Sequence, residues 1–136
     1  MTEHFDAVVV GAGPAGSTAA RELAEGGARV LVLERAKLPR YKTCAGGVPL
    51  RTASLLPFAI DPIVEDRVTR MAVSLRGKQK YVRDAHTPYA CMTMRARLDG
   101  FLADRSVDAG VVLRDGVTVS GVTPDGAAWR VATSAG

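Results

Sequence analysis

A glycine-rich turn between two apolar runs constrains the fold of this chain more than any other feature. Residues 5–10 predict a buried strand, and Gly11-Ala-Gly-Pro-Ala-Gly16 follows it directly. Residues 15–25 then predict a helix, and residues 30–33 predict a second strand that ends in Glu34. This order is typical of a parallel βαβ unit whose first turn holds the diphosphate of a dinucleotide.

Each small residue of the turn has its own predicted role. Gly11 permits a tight turn that a side chain would obstruct. Gly13 lets the main chain approach a pyrophosphate, and Gly16 lets the helix lie close to the strand. Pro14 and Ala15 open the helix, so its free N–H groups and positive dipole end would face the phosphates.

Glu34 completes the predicted nucleotide site. It lies roughly twenty residues beyond the glycines, where a carboxylate bonds a ribose hydroxyl in dinucleotide-binding units. The alternative is a glycine-rich turn that holds no ligand. The flanking strands and the acid at the end of the second strand favour the nucleotide.

Composition limits the other classes of function. The chain has 136 residues, of which 47% are apolar, enough for one domain with a core. The net charge of +4 is moderate, and no motif typical of nucleic-acid recognition is present, so we expect no nucleic-acid partner. Two cysteines and two histidines lie far apart along the chain, a spacing that predicts no metal site.

The apolar runs predict no membrane-spanning helix, because none approaches the ~20 residues that such a helix needs. No secretory signal precedes the first strand. We therefore expect a cytoplasmic protein with free thiols.

The remainder of the chain predicts further elements of an α/β fold. A basic loop follows Glu34 and leads into a second glycine turn at Cys44-Ala-Gly-Gly47. The later elements are predicted as a helix over 50–58, strands over 68–75, 79–82 and 89–94, a helix over 95–109, a third parallel strand over 111–113, and a hairpin of 117–122 with 128–133. That hairpin predicts an outer β-meander. Because nothing follows to cover it, we expect an N-terminal fragment of a longer enzyme; the alternative is a complete small protein.

Three blocks of this sequence resemble the geranylgeranyl reductase family of FAD-dependent oxidoreductases, which have the p-hydroxybenzoate hydroxylase-like fold. The first block is residues 6–21 with Glu34-Arg35, and many flavoproteins share it. The second, residues 38–47, resembles the more specific Pro-x-x-Lys-x-Cys-Gly-Gly segment. The third, residues 94–99, resembles an Arg-x-x-Phe-Asp helix start, with Leu98 in place of the Phe. Ala45 replaces a glycine of the second block, a small change that leaves the turn usable.

The resemblance implies where FAD would bind. The adenosine ribose would lie at Glu34, beside Arg35, and the pyrophosphate on the turn of residues 13–16. Arg95 would help to hold the phosphate region. Cys44, Ala45, Gly46 and Gly47 would lie beside the isoalloxazine ring, and the backbone near Val119 would contact the adenine. By the same resemblance, residues 1–58 and 90–136 form the Rossmann-like FAD-binding portion, and residues 59–89 begin a β-insertion of the substrate domain.

The resemblance also implies a reaction. Such enzymes saturate double bonds of a geranylgeranyl or other prenyl chain on an isoprenoid diphosphate, a lipid, a chlorophyll precursor or menaquinone. Their electron donor is NAD(P)H or ferredoxin, and such substrates imply peripheral contact with a membrane. The residues indicate no catalytic proton donor. Three alternatives stay open: a monooxygenase or halogenase of the same fold, a dinucleotide-binding module without catalysis, and NAD in place of FAD.

Overall fold

The computed structural model describes residues 2–135, and the chain divides into two compact units. The first unit comprises Met1–Tyr41 and Leu98–Gly136, and the second comprises Lys42–Arg97. The elements in chain order are β1 (Ala7–Val10), α1 (Pro14–Glu25), β2 (Val30–Glu34), β3 (Gly47–Pro49), α2 (Leu50–Ala53), a 3-10 helix (Asp61–Ile63), β4 (Asp66–Val68), β5 (Arg70–Leu75), β6 (Gln79–Asp84), β7 (Ala90–Met92), α3 (Arg95–Asp108), β8 (Val112–Asp115), β9 (Val119–Asp125) and β10 (Ala128–Thr133).

The first unit is built on a parallel sheet in the order β1-β2-β8. All residues of the central strand β2 are buried, which explains why its sequence is a continuous apolar run up to Glu34. The core of this unit consists of small and β-branched side chains: Ala12, Ala20, Val30, Val32 and Val111. Small side chains let α1 pack closely on β1 and β2, so the predicted βαβ unit with its third parallel strand is confirmed.

The first unit also contains the predicted terminal hairpin, in which β9 and β10 pair antiparallel. The amide of Val117 donates to the carbonyl of Glu34 at 2.9 Å, so the segment before β9 runs beside the end of β2. Fold class is thus as predicted: α/β, with a parallel sheet of the Rossmann type and additional antiparallel strands.

The second unit contains a three-stranded antiparallel sheet of order β3-β7-β4 and a separate hairpin of β5 and β6. The single strand predicted over 68–75 was wrong, because its start pairs with β7 whereas the remainder pairs with β6. The helix predicted over 50–58 stops at Ala53, and turns lead from there towards Pro57. The boundaries of this unit are wider than the predicted insertion over 59–89, and the assignment of that insertion to a substrate domain stays a prediction.

No helix within residues 2–135 is both long enough and apolar enough to cross a membrane.

Candidate functional site

The turn between β1 and α1 uses its glycines in three different ways. Gly11 has a φ of +101°, a conformation that L side chains rarely adopt. A Cβ on Gly16 would lie 1.9 Å from the carbonyl oxygen of Gly11, so the close approach of helix and turn requires glycine there. A Cβ on Gly13 would meet only Nη2 of Arg40, at an ordinary contact distance of 3.6 Å. The fold therefore requires glycine at 11 and 16, whereas the space next to Gly13 is open enough for a larger side chain.

The amino terminus of α1 faces this open space with its peptide groups. Gly13 is the N-cap in extended conformation and no side chain caps the helix. The ladder of the helix begins with the Ser17 amide, which donates to the carbonyl of Gly13 at 2.9 Å. The amides of Ala15 and Gly16 lie in the first turn, where an α-helix offers no internal acceptor. Together with the helix dipole, they form a cradle that suits a phosphate.

Glu34 is directed towards the same turn. Its Oε2 accepts from the amide of Ala12 at 2.8 Å and its Oε1 accepts from the amide of Ala36 at 3.1 Å. The residue is only 4% exposed. Burial acts to raise the pKa of the Glu34 carboxyl, but the two amides and Arg40 outweigh it and hold the pKa below its ordinary value. Since each carboxylate oxygen can accept more than one hydrogen bond, this ionised group can still receive a ribose hydroxyl.

Arg40 joins this site, although the sequence placed it only in a basic loop. Its Nε lies 3.4 Å from Oε1 of Glu34, and its Nη1 lies 2.9 Å from Oδ2 of Asp99. Its Nη2 is the atom nearest to the empty Cβ position of Gly13. A guanidinium thus lies beside the cradle, where it would add positive charge for a diphosphate. The sequence signal for this was a run of cations in the loop beside a glycine turn, a pattern that fits a solvated loop and phosphate contacts equally well.

The loop that carries Arg40 is tied to the end of β8. Asp115 accepts from Nζ of Lys37 at 2.8 Å and from the amide of Leu38 at 2.8 Å. Lys37 and the Leu38 amide, in that order, hold the pKa of Asp115 below its ordinary value.

Two further residues of the predicted nucleotide site lie in this unit. Arg35, which follows β2, is exposed, and Val119 is half-buried at the start of β9. Their predicted contacts with the nucleotide stay predictions.

The second glycine turn, in the second unit, shows the same division of roles. Gly46 has a φ of +75°, and a Cβ there would lie 1.9 Å from the carbonyl oxygen of Thr93. The Thr93 amide donates to the Gly46 carbonyl at 2.9 Å, which fixes the turn against the residues before α3. A Cβ on Gly47 would meet only the sulfur of Met92, at 3.7 Å. The fold requires Gly46, and Gly47 keeps an open position.

Cys44 and Arg95 meet at this second turn. The amide of Gly46 donates to Sγ of Cys44 at 3.4 Å, and Arg95 also hydrogen-bonds the thiol. The Gly46 amide and then Arg95 hold the pKa of Cys44 below the ordinary value of a thiol. Cys44 is exposed, whereas Cys91 is buried in β7. An accessible thiol with a lowered pKa therefore lies in the turn for which the family resemblance implies a position beside the flavin.

Each unit thus collects one part of the predicted site. The first unit brings together the turn of residues 11–16, Glu34 and the previously unassigned Arg40. The second unit brings together Cys44, Ala45, Gly46 and Gly47 with Arg95. Among residues 2–135, no cluster of acidic, histidine or cysteine side chains has the make-up of a metal site.

Comparison with known proteins finds a family and several relatives that this chain is similar to. The profile of the family described as FAD binding domain matches residues 4–134. A chloroplastic geranylgeranyl diphosphate reductase from Nicotiana tabacum is 35% identical over 112 residues, which are 80% of this chain and 24% of that protein. A probable electron transfer flavoprotein-quinone oxidoreductase from Escherichia coli is 36% identical over 135 residues, covering 91% of this chain and 32% of that protein.

A solved structure extends the likeness to three dimensions. The geranylgeranyl bacteriochlorophyll reductase-like protein from Thermoplasma acidophilum superposes with a TM-score of 0.77 at 25% identity, covering 90% of this chain and 32% of that one. The chain spans about a quarter to a third of the length of the curated relatives named above.

Proposed function

We propose that this chain, which belongs to the FAD binding domain family, is the nucleotide-binding part of a reductase that saturates double bonds of a prenyl chain. FAD is the cofactor that the family's description names. The named relatives, a diphosphate reductase and a quinone oxidoreductase, support an FAD-dependent oxidoreductase as the class of enzyme. The prenyl substrate is the proposal that goes beyond this class.

The observation that carries the proposal is the second glycine turn. Its sequence resembles the Pro-x-x-Lys-x-Cys-Gly-Gly segment of the family, with Ala45 in place of a glycine. Its geometry leaves Gly47 open beside an exposed Cys44 that Arg95 and a backbone amide stabilise. A plain phosphate-binding turn is common to many flavoproteins, whereas this second turn accompanies the similarity to geranylgeranyl reductases over 80% of the chain. It therefore favours the reductase over other enzymes with the same first turn.

The residues of the chain have separate proposed roles in holding FAD. The backbone amides of residues 13–16 and the guanidinium of Arg40 receive the diphosphate, and Glu34 receives the adenosine ribose beside Arg35. The backbone near Val119 contacts the adenine. In the second turn, residues 44–47 lie against the isoalloxazine ring, and Arg95 supports the phosphate region.

Saturation of an alkene requires two electrons and two protons. Bound FAD supplies the electrons, which it takes from NAD(P)H or ferredoxin. The protein must position the prenyl chain and exclude water and oxygen from the site. The substrate classes that fit are isoprenoid diphosphates, lipids, chlorophyll precursors and menaquinone, all of which favour peripheral contact of a cytoplasmic protein with a membrane.

An anaerobic reoxidation experiment tests the proposal. The longest version of the protein that contains this chain is purified and loaded with FAD. The flavin is reduced without oxygen, and geranylgeranyl diphosphate is added while the flavin absorbance is followed. We expect the oxidised spectrum to return and the product to gain hydrogen at one or more double bonds by mass spectrometry. Parallel samples receive a short-chain quinone, or oxygen with an aromatic substrate.

The parallel samples decide between reaction classes. Reoxidation by the quinone alone would assign the activity named for the Escherichia coli relative. A strict requirement for oxygen with a hydroxylated or halogenated product would assign a monooxygenase or halogenase. Tight FAD binding without reoxidation by any of these acceptors would leave a nucleotide-binding module without catalysis. Each of these three results overturns the prenyl reductase.

A further inference from the structure

We propose that Asp99 is a positioning residue, which orients Arg40 so that its guanidinium receives the diphosphate of the bound nucleotide. The inference rests on the nucleotide-binding part of the proposed function and is independent of the reaction. Asp99 lies in α3, 59 residues from Arg40 along the chain, and the two meet within the first unit.

Arg40 is held from two sides. Its Nη1 forms an ion pair with Asp99 at 2.9 Å, and its Nε lies 3.4 Å from Glu34. Nη2 is then the part of the planar guanidinium that lies next to Gly13. Because the five N–H donors of arginine point in fixed directions, holding two nitrogens determines where the third one points.

Asp99 is placed where a carboxylate has a high desolvation cost. It is 0% exposed, and its neighbours on the same helix face include the buried Leu98 and Leu102. A fully buried carboxylate needs a charged partner, and a pair of apolar residues would often give equal or greater stability. Its partner Arg40 is 15% exposed, so the ion pair joins the buried Asp99 to a guanidinium that lies beside Gly13.

This arrangement gives Asp99 an effect on phosphate binding that a purely structural residue would lack. If Asp99 only supports the fold, its replacement weakens every ligand of the site to a similar extent. If it orients Arg40, its replacement weakens ligands that carry the diphosphate and leaves the bare nucleoside unchanged. ADP and adenosine differ only in the diphosphate, so they serve as the pair of probes.

The experiment measures the dissociation constants of ADP and adenosine for the whole chain by calorimetry and NMR titration. The variants are Asp99→Asn, Arg40→Gln and the double variant, with Asp104→Asn as the matched control on the exposed side of the same helix. We expect Asp99→Asn to weaken ADP about tenfold or more, as for the loss of a charge-assisted hydrogen bond. Adenosine affinity and the control should match the unsubstituted protein. The double variant should bind ADP no more weakly than Arg40→Gln, since Asp99 acts through Arg40.

Several outcomes would overturn the inference. Equal weakening of ADP and adenosine by Asp99→Asn would mark a structural role, and additive losses in the double variant would mark independent residues. If Asp99→Asn does not fold, Arg40→Lys decides instead. A lysine cannot pair with Asp99 and present a second fixed donor, so unchanged preference for ADP over adenosine in that variant contradicts the inference. If the unsubstituted protein binds neither ADP nor FAD, the proposed nucleotide site itself is wrong. If Asp99→Asn binds ADP as tightly as the unsubstituted protein, only the role of Asp99 is wrong.

Discussion

Replacement of Gly13 by alanine separates the needs of the fold from the needs of the ligand. Gly13 has a φ of −77°, which alanine adopts without strain, and the new methyl group would meet only Nη2 of Arg40 at 3.6 Å. Alanine is a poorer N-cap than glycine by roughly 1 kcal/mol. The reduced freedom of the unfolded chain offsets this by about 0.4–1 kcal/mol. We therefore expect Gly13→Ala to change the free energy of unfolding by less than about 1 kcal/mol.

The same methyl group would occupy part of the open space in which we propose that a phosphate binds. Loss of one charge-assisted hydrogen bond costs about 1.5–3 kcal/mol, so the dissociation constant of FAD should rise about 10- to 150-fold. Denaturant unfolding gives the stability, and quenching of flavin fluorescence gives the affinity. Gly16→Ala is the matched control, because its Cβ would lie 1.9 Å from the Gly11 carbonyl and should destabilise the fold by about 1–3 kcal/mol or more. Unchanged FAD affinity in Gly13→Ala would refute the location of the cradle.

Three further outcomes follow from the described contacts. In the second turn, Gly46→Ala should lower the free energy of unfolding by about 1–3 kcal/mol or more in denaturant titrations, and Gly47→Ala by much less, because only the Cβ at 46 would meet a backbone carbonyl; equal losses would contradict this. The lowered pKa of Glu34 means that its contribution to stability is complete above the unfolded value of about 4.3 and is lost as the pH falls from there towards the folded value. Glu34→Gln should therefore reduce the loss of unfolding free energy below about pH 5, and an unaltered pH profile would rule out this effect. Iodoacetamide should alkylate Cys44 near neutral pH faster than a model thiol and leave the buried Cys91 unmodified in the folded protein, as peptide mapping can measure; modification of both cysteines at the same rate would argue against the stabilised thiolate.

Local patterns in the sequence were sufficient for the first unit. The run of β2, the glycine turn and the position of Glu34 are all set within 34 residues, and the structure places them as predicted. Strand boundaries in the second unit were less predictable, because β4 and β5 follow one another in sequence but pair with different partners. The alternation of side chains along residues 68–75 does not indicate which neighbouring strand each part of that segment pairs with.

The charged part of the site could not be derived from local patterns. Arg40 is one of several cations in a loop, and Asp99 follows closely on the start of α3, where acidic residues are common for reasons unrelated to a ligand. Only the fold brings them within 2.9 Å. The spacing of apolar residues in α3 did not indicate this ion pair. Asp99 is buried in the structure, but a polar residue in a helical pattern does not by itself predict burial.

The two glycine turns illustrate why a motif alone does not identify a ligand site. In each turn the chain itself requires glycine at some positions: a Cβ at 16 or 46 would lie 1.9 Å from a backbone carbonyl oxygen, and Gly11 has a φ of +101°. The other glycine of each pair, at 13 or 47, has nothing closer than 3.6 Å and no positive φ. Close packing explains why Gly16 and Gly46 must be glycine, and it gives no reason for glycine at 13 or 47. Since glycine costs stability wherever the fold does not require it, the open space beside Gly13 in the first unit and beside Gly47 in the second has no explanation in packing, and the exchange of either glycine for alanine tests ligand binding separately from folding.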